Sequence, residues 1–226
     1  LVGWTGDDGV SIWFGASKVA RNIAGGSALA GIVTDGAAFY AVYPSGDVPF
    51  GVLQIPISGL TPTSPTTSNK SSSFGPYSAL ALQGGNLVGT DVVNGNIYVE
   101  LVSTTSFASS LGMSTHCTAA PTTGGLAVDN FDAFVLCGSS VEHLNESLNL
   151  PSSLYEGSAT LTSIAKDATS MYLTEQGAHA RVLAGSLIDH TTTVVSPDEP
   201  SPRAILVDAS NLYWLSDVGV RRAAKP

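Results

Sequence analysis

Ala204-Ile-Leu-Val-Asp208-Ala-Ser-Asn211-Leu-Tyr213-Trp214-Leu-Ser-Asp217 is the stretch whose reading decides the fold. It runs as a short apolar segment ended by Asp208, a three-residue turn, and a second segment that opens on an apolar–aromatic pair. The apolar segment is too short for a helix and has the composition of a strand. An aspartate placed there can accept backbone N–H groups inside the turn. The aromatic that follows offers large apolar area to a neighbouring sheet.

The same frame recurs upstream. Ser163-Ile-Ala-Lys-Asp167 precedes Met171-Tyr172-Leu, Gly31-Ile-Val-Thr-Asp35 precedes Phe39-Tyr40, and Leu126-Ala-Val-Asp129 precedes Ala133-Phe134-Val. Leu80-Ala-Leu-Gln83 with Leu87-Val88 carries Gln in place of Asp, and Trp4-Thr-Gly-Asp7-Asp8 with Ile12-Trp13 opens the series. Asp8, Asp35, Gln83, Asp129, Asp167 and Asp208 are then spaced 27, 48, 46, 38 and 41 residues apart. The longer intervals hold two further strands, at Asn96–Val102 and Phe107–Cys117 in the third unit and at Ala178–Leu187 and Thr191–Val195 in the fifth. Four strands in about 40–45 residues make a propeller blade. The expectation is an all-β fold, one β-propeller domain over 1–226. It has six blades of four antiparallel strands near 1–28, 29–73, 74–118, 119–157, 158–200 and 201–226. A two-sheet sandwich with similar strand spacing is the competing fold. The six markers are read as structural.

The stretch from Asp208 to Asp217 resembles the blade signature of the Tyr-Trp-Thr-Asp and related NHL-type six-bladed propellers, especially repeats of exported bacterial proteins. The likeness covers the whole chain as a repeat frame and is specific in the last unit. The other copies depart from it at the Trp and often at the Thr and Asp. The last unit, ending in Gly219-Val-Arg-Arg-Ala-Ala-Lys225, leaves no residues for a fourth strand. That blade is therefore expected to be incomplete, or to be closed by the N-terminal segment Leu1–Thr5.

Of the 226 residues, 12% are charged and 43% hydrophobic, with a formal net charge of −9. The nine bases form no run or stripe, which excludes nucleic acid as a partner, because phosphate binding depends on clustered positive charge. No segment approaches the ~20 apolar residues of a membrane span. The chain opens on Leu1 with no leader visible, and its acidic, lysine-poor, Ser/Thr-rich composition points to a secreted, periplasmic or cell-surface location. Cys117 and Cys137 are a candidate disulfide in an oxidising compartment; two buried thiols are the alternative. Asn69-Lys70-Ser71 and Asn145-Glu146-Ser147 match the glycosylation triplet.

The chain holds no phosphate-binding glycine loop, dinucleotide fingerprint, HExxH or nucleophile elbow. His116 adjoins Cys117, but strand neighbours point to opposite faces. His179 and Arg181 share a strand face, which makes either a small anion site or a plain exposed strand. Asp198 and Glu199, in Ser196-Pro197-Asp-Glu-Pro200-Ser201-Pro202, form either a calcium loop or a stiff solvated connection. Asp7-Asp8-Gly9 lacks the spaced acids of an EF-hand, and Leu60–Ser73 is a low-complexity projection. No catalytic or metal-binding residue is assigned and no cofactor is expected.

The leading expectation is an exported, non-catalytic recognition propeller binding a protein or glycan, with Trp4, Trp13, Tyr98 and Trp214 as stacking candidates. A calcium-dependent hydrolase or lactonase resembling the six-bladed propeller enzymes is one alternative. A structural assembly domain that pairs through an incomplete blade is the other.

Overall fold

The marker turns are built as their sequence requires. In the computed structural model, Asp35 Oδ1 accepts the backbone N–H groups of Ala37 and Ala38, both at 2.8 Å, while Oδ2 accepts the Tyr40 hydroxyl at 2.8 Å. Asp167 does the same with Thr169, Ser170 and Tyr172. Asp208 repeats it with Ser210, Asn211 and Tyr213. One carboxylate thus closes the turn with one oxygen and fixes the aromatic of the next strand with the other. The Gln83 copy achieves its turn differently: Gly84 and Gly85 take φ values of 52° and 82°, the left-handed pair of a tight two-residue hairpin. In the fourth copy Phe134 has no hydroxyl, and Asp129 instead accepts Lys166 Nζ at 2.6 Å.

The structure describes residues 2–6, 9–14, 19–24, 31–42, 51–57, 66–69, 79–93, 96–105, 109–115, 117, 125–129, 132–145 and 152–226. The markers Asp7 and Asp8, the histidine His116 and most of the projection at 60–73 lie outside them, as do the side chains of Trp4 and Trp13.

The described strands form six sheets in which sequence neighbours are sheet neighbours. Sheet A holds β1 (Val2–Gly6), β2 (Gly9–Phe14) and β3 (Val19–Ala24). Sheet B holds β4 (Gly31–Thr34), β5 (Ala38–Val42), β6 (Gly51–Pro56) and β7 (Thr66–Asn69). Sheet C holds β8 (Ala79–Gln83), β9 (Asn86–Val93), β10 (Asn96–Ser103) and β11 (Ser109–Ser114). Sheet D holds β12 (Leu126–Asp129), β13 (Asp132–Cys137), β14 (Ser140–Asn145) and β15 (Ser152–Glu156). Sheet E holds β16 (Thr160–Lys166), β17 (Ser170–Gln176), β18 (Arg181–Ser186) and β19 (Thr192–Ser196). Sheet F holds β20 (Arg203–Val207), β21 (Asn211–Ser216) and β22 (Gly219–Ala224).

The fold is an all-β propeller with four-stranded antiparallel blades; among the described residues five blades are found rather than the six expected, four of the six sheets being four-stranded and the two nearest the chain ends three-stranded. Sheets A and F are three-stranded among the described residues, so not every repeat of the frame yields a full blade. The segment offered to close the last blade is used elsewhere: β1 pairs with β2, from Val2↔Trp13 to Gly6↔Gly9.

The chain divides into two compact units, Leu1–Asn94 with Tyr98–Gly112, and Gly95–Ile97 with Met113–Pro226. In the first, Ala38 and Tyr40 of sheet B pack with Leu87 and Val102 of sheet C. In the second, Phe134, Leu136 and Val141 of sheet D pack with Leu161, Ile164, Met171, Leu173 and Leu183 of sheet E. Tyr172, Val182 and Ala184 of sheet E pack with Ile205, Leu212 and Trp214 of sheet F. The marker aromatics Tyr40, Phe134 and Tyr172 thus each fill the seam to the following sheet, where buried apolar area is the main stabilising term.

Two lysines lock the seams of the second unit. Lys166, at the end of β16, reaches back to Asp129 in the preceding sheet and lies 5.5 Å from the Phe134 ring centroid. Lys225, just past β22, donates to Asp167 Oδ2 at 2.6 Å and to the Asp208 carbonyl at 3.2 Å. A marker aspartate therefore serves both its own turn and, through a cation, the sheet that follows.

Candidate functional site: a groove beside the last strand

β21 alternates its side chains across sheet F. Leu212 and Trp214 face sheet E and are buried, whereas Tyr213 and Leu215 lie on the other face. The Trp214 indole completes the seam to sheet E at 3% exposure. Its Nε1–H is buried and has no hydrogen-bond partner among the described residues. An orphaned donor of this kind costs about 1–3 kcal/mol. Trp214 lines a groove of about 410 Å³, with Val195 and Ser196 of β19 on one side and Val220, Arg221 and Arg222 of β22 on the other.

The electrostatics of the groove are set by Glu199. Its side chain is 2% exposed, although the proline-rich segment around it reads as a solvated connection. The Glu199 N–H donates to the Ala180 carbonyl at 2.7 Å, which draws the segment down onto sheet E. Its Oε2 accepts the Ser196 hydroxyl at 2.9 Å. Its Oε1 lies 3.4 Å from Arg221 Nε, an ion-pair contact that does not meet hydrogen-bond geometry. Arg221 is thereby oriented from the buried side while its side chain stays half-exposed. Arg222, on the opposite face and paired across the hairpin with Tyr213, makes no ion pair among the described residues. The groove presents the half-exposed Arg221 guanidinium and suits a ligand that brings carboxylate or carbonyl oxygens, while the indole N–H stays buried.

The candidates read from the sequence fare differently. His179 lies before β18 rather than on it, exposed, 3.4 Å from the exposed Asp198. Arg181 is committed to Glu175 of β17, so His179 and Arg181 do not form an anion site. Asp198 and Glu199 separate, one exposed and one buried. Trp214 is covered and cannot offer its ring face to a sugar, and Tyr98 is half-buried. His143 is a structural residue: it bonds Asp132 at 2.8 Å and stacks on Phe134 with centroids 4.9 Å apart. Cys117 and Cys137 stand 5.3 Å apart at Cα, a separation that a disulfide spans. Together with Glu142 they are the one group of three ligand-type side chains within coordination reach among the described residues. This mixed sulfur–carboxylate set differs from the all-oxygen shell that calcium takes.

The groove was not legible in the sequence. Its one local signal is the Arg221-Arg222 pair in a chain poor in bases.

No family model matches the chain, and no curated protein matches it. Solved structures do. The extracellular domain of the hybrid two-component system BT4673 from B. thetaiotaomicron is 12% identical and aligns with a TM-score of 0.69, covering 97% of this chain and 30% of its own. A second structure, the extracellular domain of the one-component system BT4673 from B. thetaiotaomicron, gives 0.68 at 12% identity with the same coverage. The chain thus spans about a third of the length of these structures, and the likeness is one of fold.

Proposed function

We propose that the chain is an exported recognition domain that binds a protein partner at the groove between β19 and β22. The observation that carries this reading is the groove of about 410 Å³ lined by the half-exposed Arg221, which the buried Glu199 orients from one side and a ligand carboxylate would meet from the other. The extracellular setting of the two similar structures supports an extracellular or periplasmic location. The hydroxyl-to-aspartate bond repeated at Tyr40, Tyr172 and Tyr213 supports a repeat of the Tyr-Trp-Thr-Asp/NHL kind. Between protein and glycan, the covered Trp214 ring favours protein, since sugar stacking needs an open aromatic face.

Panning a displayed random-peptide library and probing a glycan array with the same protein tests the reading. Peptides should be enriched that lose binding to the Arg221→Ala/Arg222→Ala variant, while the array stays at background. Enrichment of neither class, or array signals that survive the double substitution, would overturn it.

In an oxidising compartment Cys117 and Cys137 should be bonded. Iodoacetamide under denaturing conditions should then add no mass until a reductant is supplied. Two alkylated cysteines without reductant would remove this support for export.

A further inference from the structure

The β13–β14 hairpin brings a sulfur and a carboxylate to one face of sheet D. Cys137 pairs with Ser140 across the hairpin and Val135 pairs with Glu142, so Cys137 and Glu142 are diagonal neighbours on the same face. The opposite face carries Phe134, Leu136 and Val141 into the seam with sheet E. Cys117, which follows β11, supplies a second sulfur at 3% exposure. The two sulfurs and a Glu142 oxygen all lie within 4.8 Å of one another. Glu142 is buried, whereas Cys137 is partly exposed and gives the group an entry from solvent. Both cysteine backbones are anchored independently of the S–S bond. The Cys117 N–H donates to Thr115 Oγ1 at 3.1 Å, and Thr115 donates to the Ile97 carbonyl through its own N–H and hydroxyl. The Ser140 hydroxyl donates to the Cys137 carbonyl at 3.1 Å and closes the hairpin turn.

We propose that reduction of the Cys117–Cys137 bond opens a site for a thiophilic divalent cation of the zinc type, with Cys117, Cys137 and Glu142 as its ligands. A dithiol reductant passes two electrons to the bond and is itself oxidised to a disulfide, leaving two protonated thiols. The cation then displaces both thiol protons to solvent and takes the two thiolates together with a Glu142 oxygen. Zinc accepts this mixture of ligands in a tetrahedron, with bonds of about 2.3 Å to sulfur and about 2.0–2.2 Å to carboxylate oxygen. Such bonds place the ligand atoms roughly 3.5–3.8 Å apart, inside the 4.8 Å within which all three groups already fall. The sulfurs reach that spacing by rotation of their own side chains, because the anchored backbones stay in place. Water completes the fourth position from the Cys137 side. Two thiolates disfavour calcium and magnesium, which take oxygen ligands. Bonded sulfurs carry no thiolate charge, so the S–S bond and the cation exclude one another and the bond gates the site.

Titration with Zn2+ of the oxidised chain, and of the chain reduced by a phosphine under exclusion of air, tests this. The reduced chain should bind one equivalent and the oxidised chain none. Bound Zn2+ should shield both cysteines of the folded, reduced chain from iodoacetamide. Co2+ in its place should give a thiolate-to-metal charge-transfer band that the oxidised chain lacks. Glu142→Gln, close to isosteric and checked by its melting temperature, should weaken Zn2+ by about 10-fold or more, the least that losing even a supporting residue of a metal site costs. A reduced chain that binds no Zn2+, or that unfolds before Zn2+ is added, would overturn the site. Equal binding by both redox forms, alkylation unchanged by Zn2+, or undiminished binding by Glu142→Gln would overturn it as well. Should that variant fail to fold, the comparison of the two redox forms decides alone.

Discussion

Arg181→Ala should destabilise the chain by about 3–5 kcal/mol, the range for removing one partner of a buried ion pair. Glu175 is 1% exposed, and its charge is met by Arg181 and by the Ala159 N–H at 3.3 Å. The tight contact holds the Arg181 guanidinium above its ordinary pKa, with the hydrogen bond to Glu175 as the main cause. Burial, and then the Glu175 charge, push the nearby Tyr155 hydroxyl up. Without Arg181 the carboxylate would remain inside the sheet with one weak backbone donor among the described residues. Replacing both partners, Arg181→Leu with Glu175→Leu, should recover most of the loss, because an apolar pair of similar volume carries no desolvation cost. Urea unfolding of the single and double variants measures this. A double variant as unstable as Arg181→Ala would show that packing, rather than stranded charge, sets the penalty.

Asp167→Ala should cost about 3 kcal/mol, since one carboxylate serves two turn amides, the Tyr172 hydroxyl and the Lys225 ammonium, and bonds to a charged group are the stronger kind. Asp167→Asn keeps the turn acceptors and loses the ion pair, so it should cost less than half as much. The pH dependence has a definite sign. Burial alone would raise the Asp167 pKa, but Lys225, the Thr169 amide and Tyr172 outweigh it and hold the group well below the carboxylate range. Asp208 falls to about 2, through the Ser210 amide first and then the Tyr213 hydroxyl. A carboxylate whose pKa drops on folding stabilises the native state above its unfolded value near 4 and loses that contribution as pH falls through the folded value. Stability should therefore decline from about pH 4 to pH 2, and Asp167→Asn should flatten that limb. Lys225 acts at the other end: its pKa is raised by Asp167, so its contribution fades only as pH climbs past its ordinary 10.5. An acid limb unchanged by Asp167→Asn would contradict the assignment.

The parts of the fold legible in the sequence are those encoded locally. The Asp-to-aromatic spacing of five residues is one turn and its two flanking strands, and every bond it makes lies within that span. Three of the five aromatics at that spacing, Tyr40, Tyr172 and Tyr213, are tyrosines, and the recurrence of a hydroxyl is the signal that the aspartate has a second task. The lysine locks were not legible, because Lys166 and Asp129 are 37 residues apart and Lys225 and Asp167 are 58 apart. Glu199 was misread for a related reason. Flanking prolines describe its backbone, while its burial depends on Ser196, Arg221 and the Ala180 carbonyl, which converge only once sheets E and F are stacked. The blade count failed where each marker was taken to head a blade of its own.

The marker aspartates also bear on how the chain reaches its native state. Each turn is closed by contacts two to five residues apart, so a hairpin can form in microseconds before any sheet meets its neighbour. Lys166 to Asp129 and Lys225 to Asp167 join partners tens of residues apart and can form only after the seams close. Substitutions at the turn amides' acceptor should slow refolding, whereas removing a lysine should chiefly speed unfolding. The two jobs of Asp167 would then separate in time: its turn bonds act before the folding barrier and its ion pair after it.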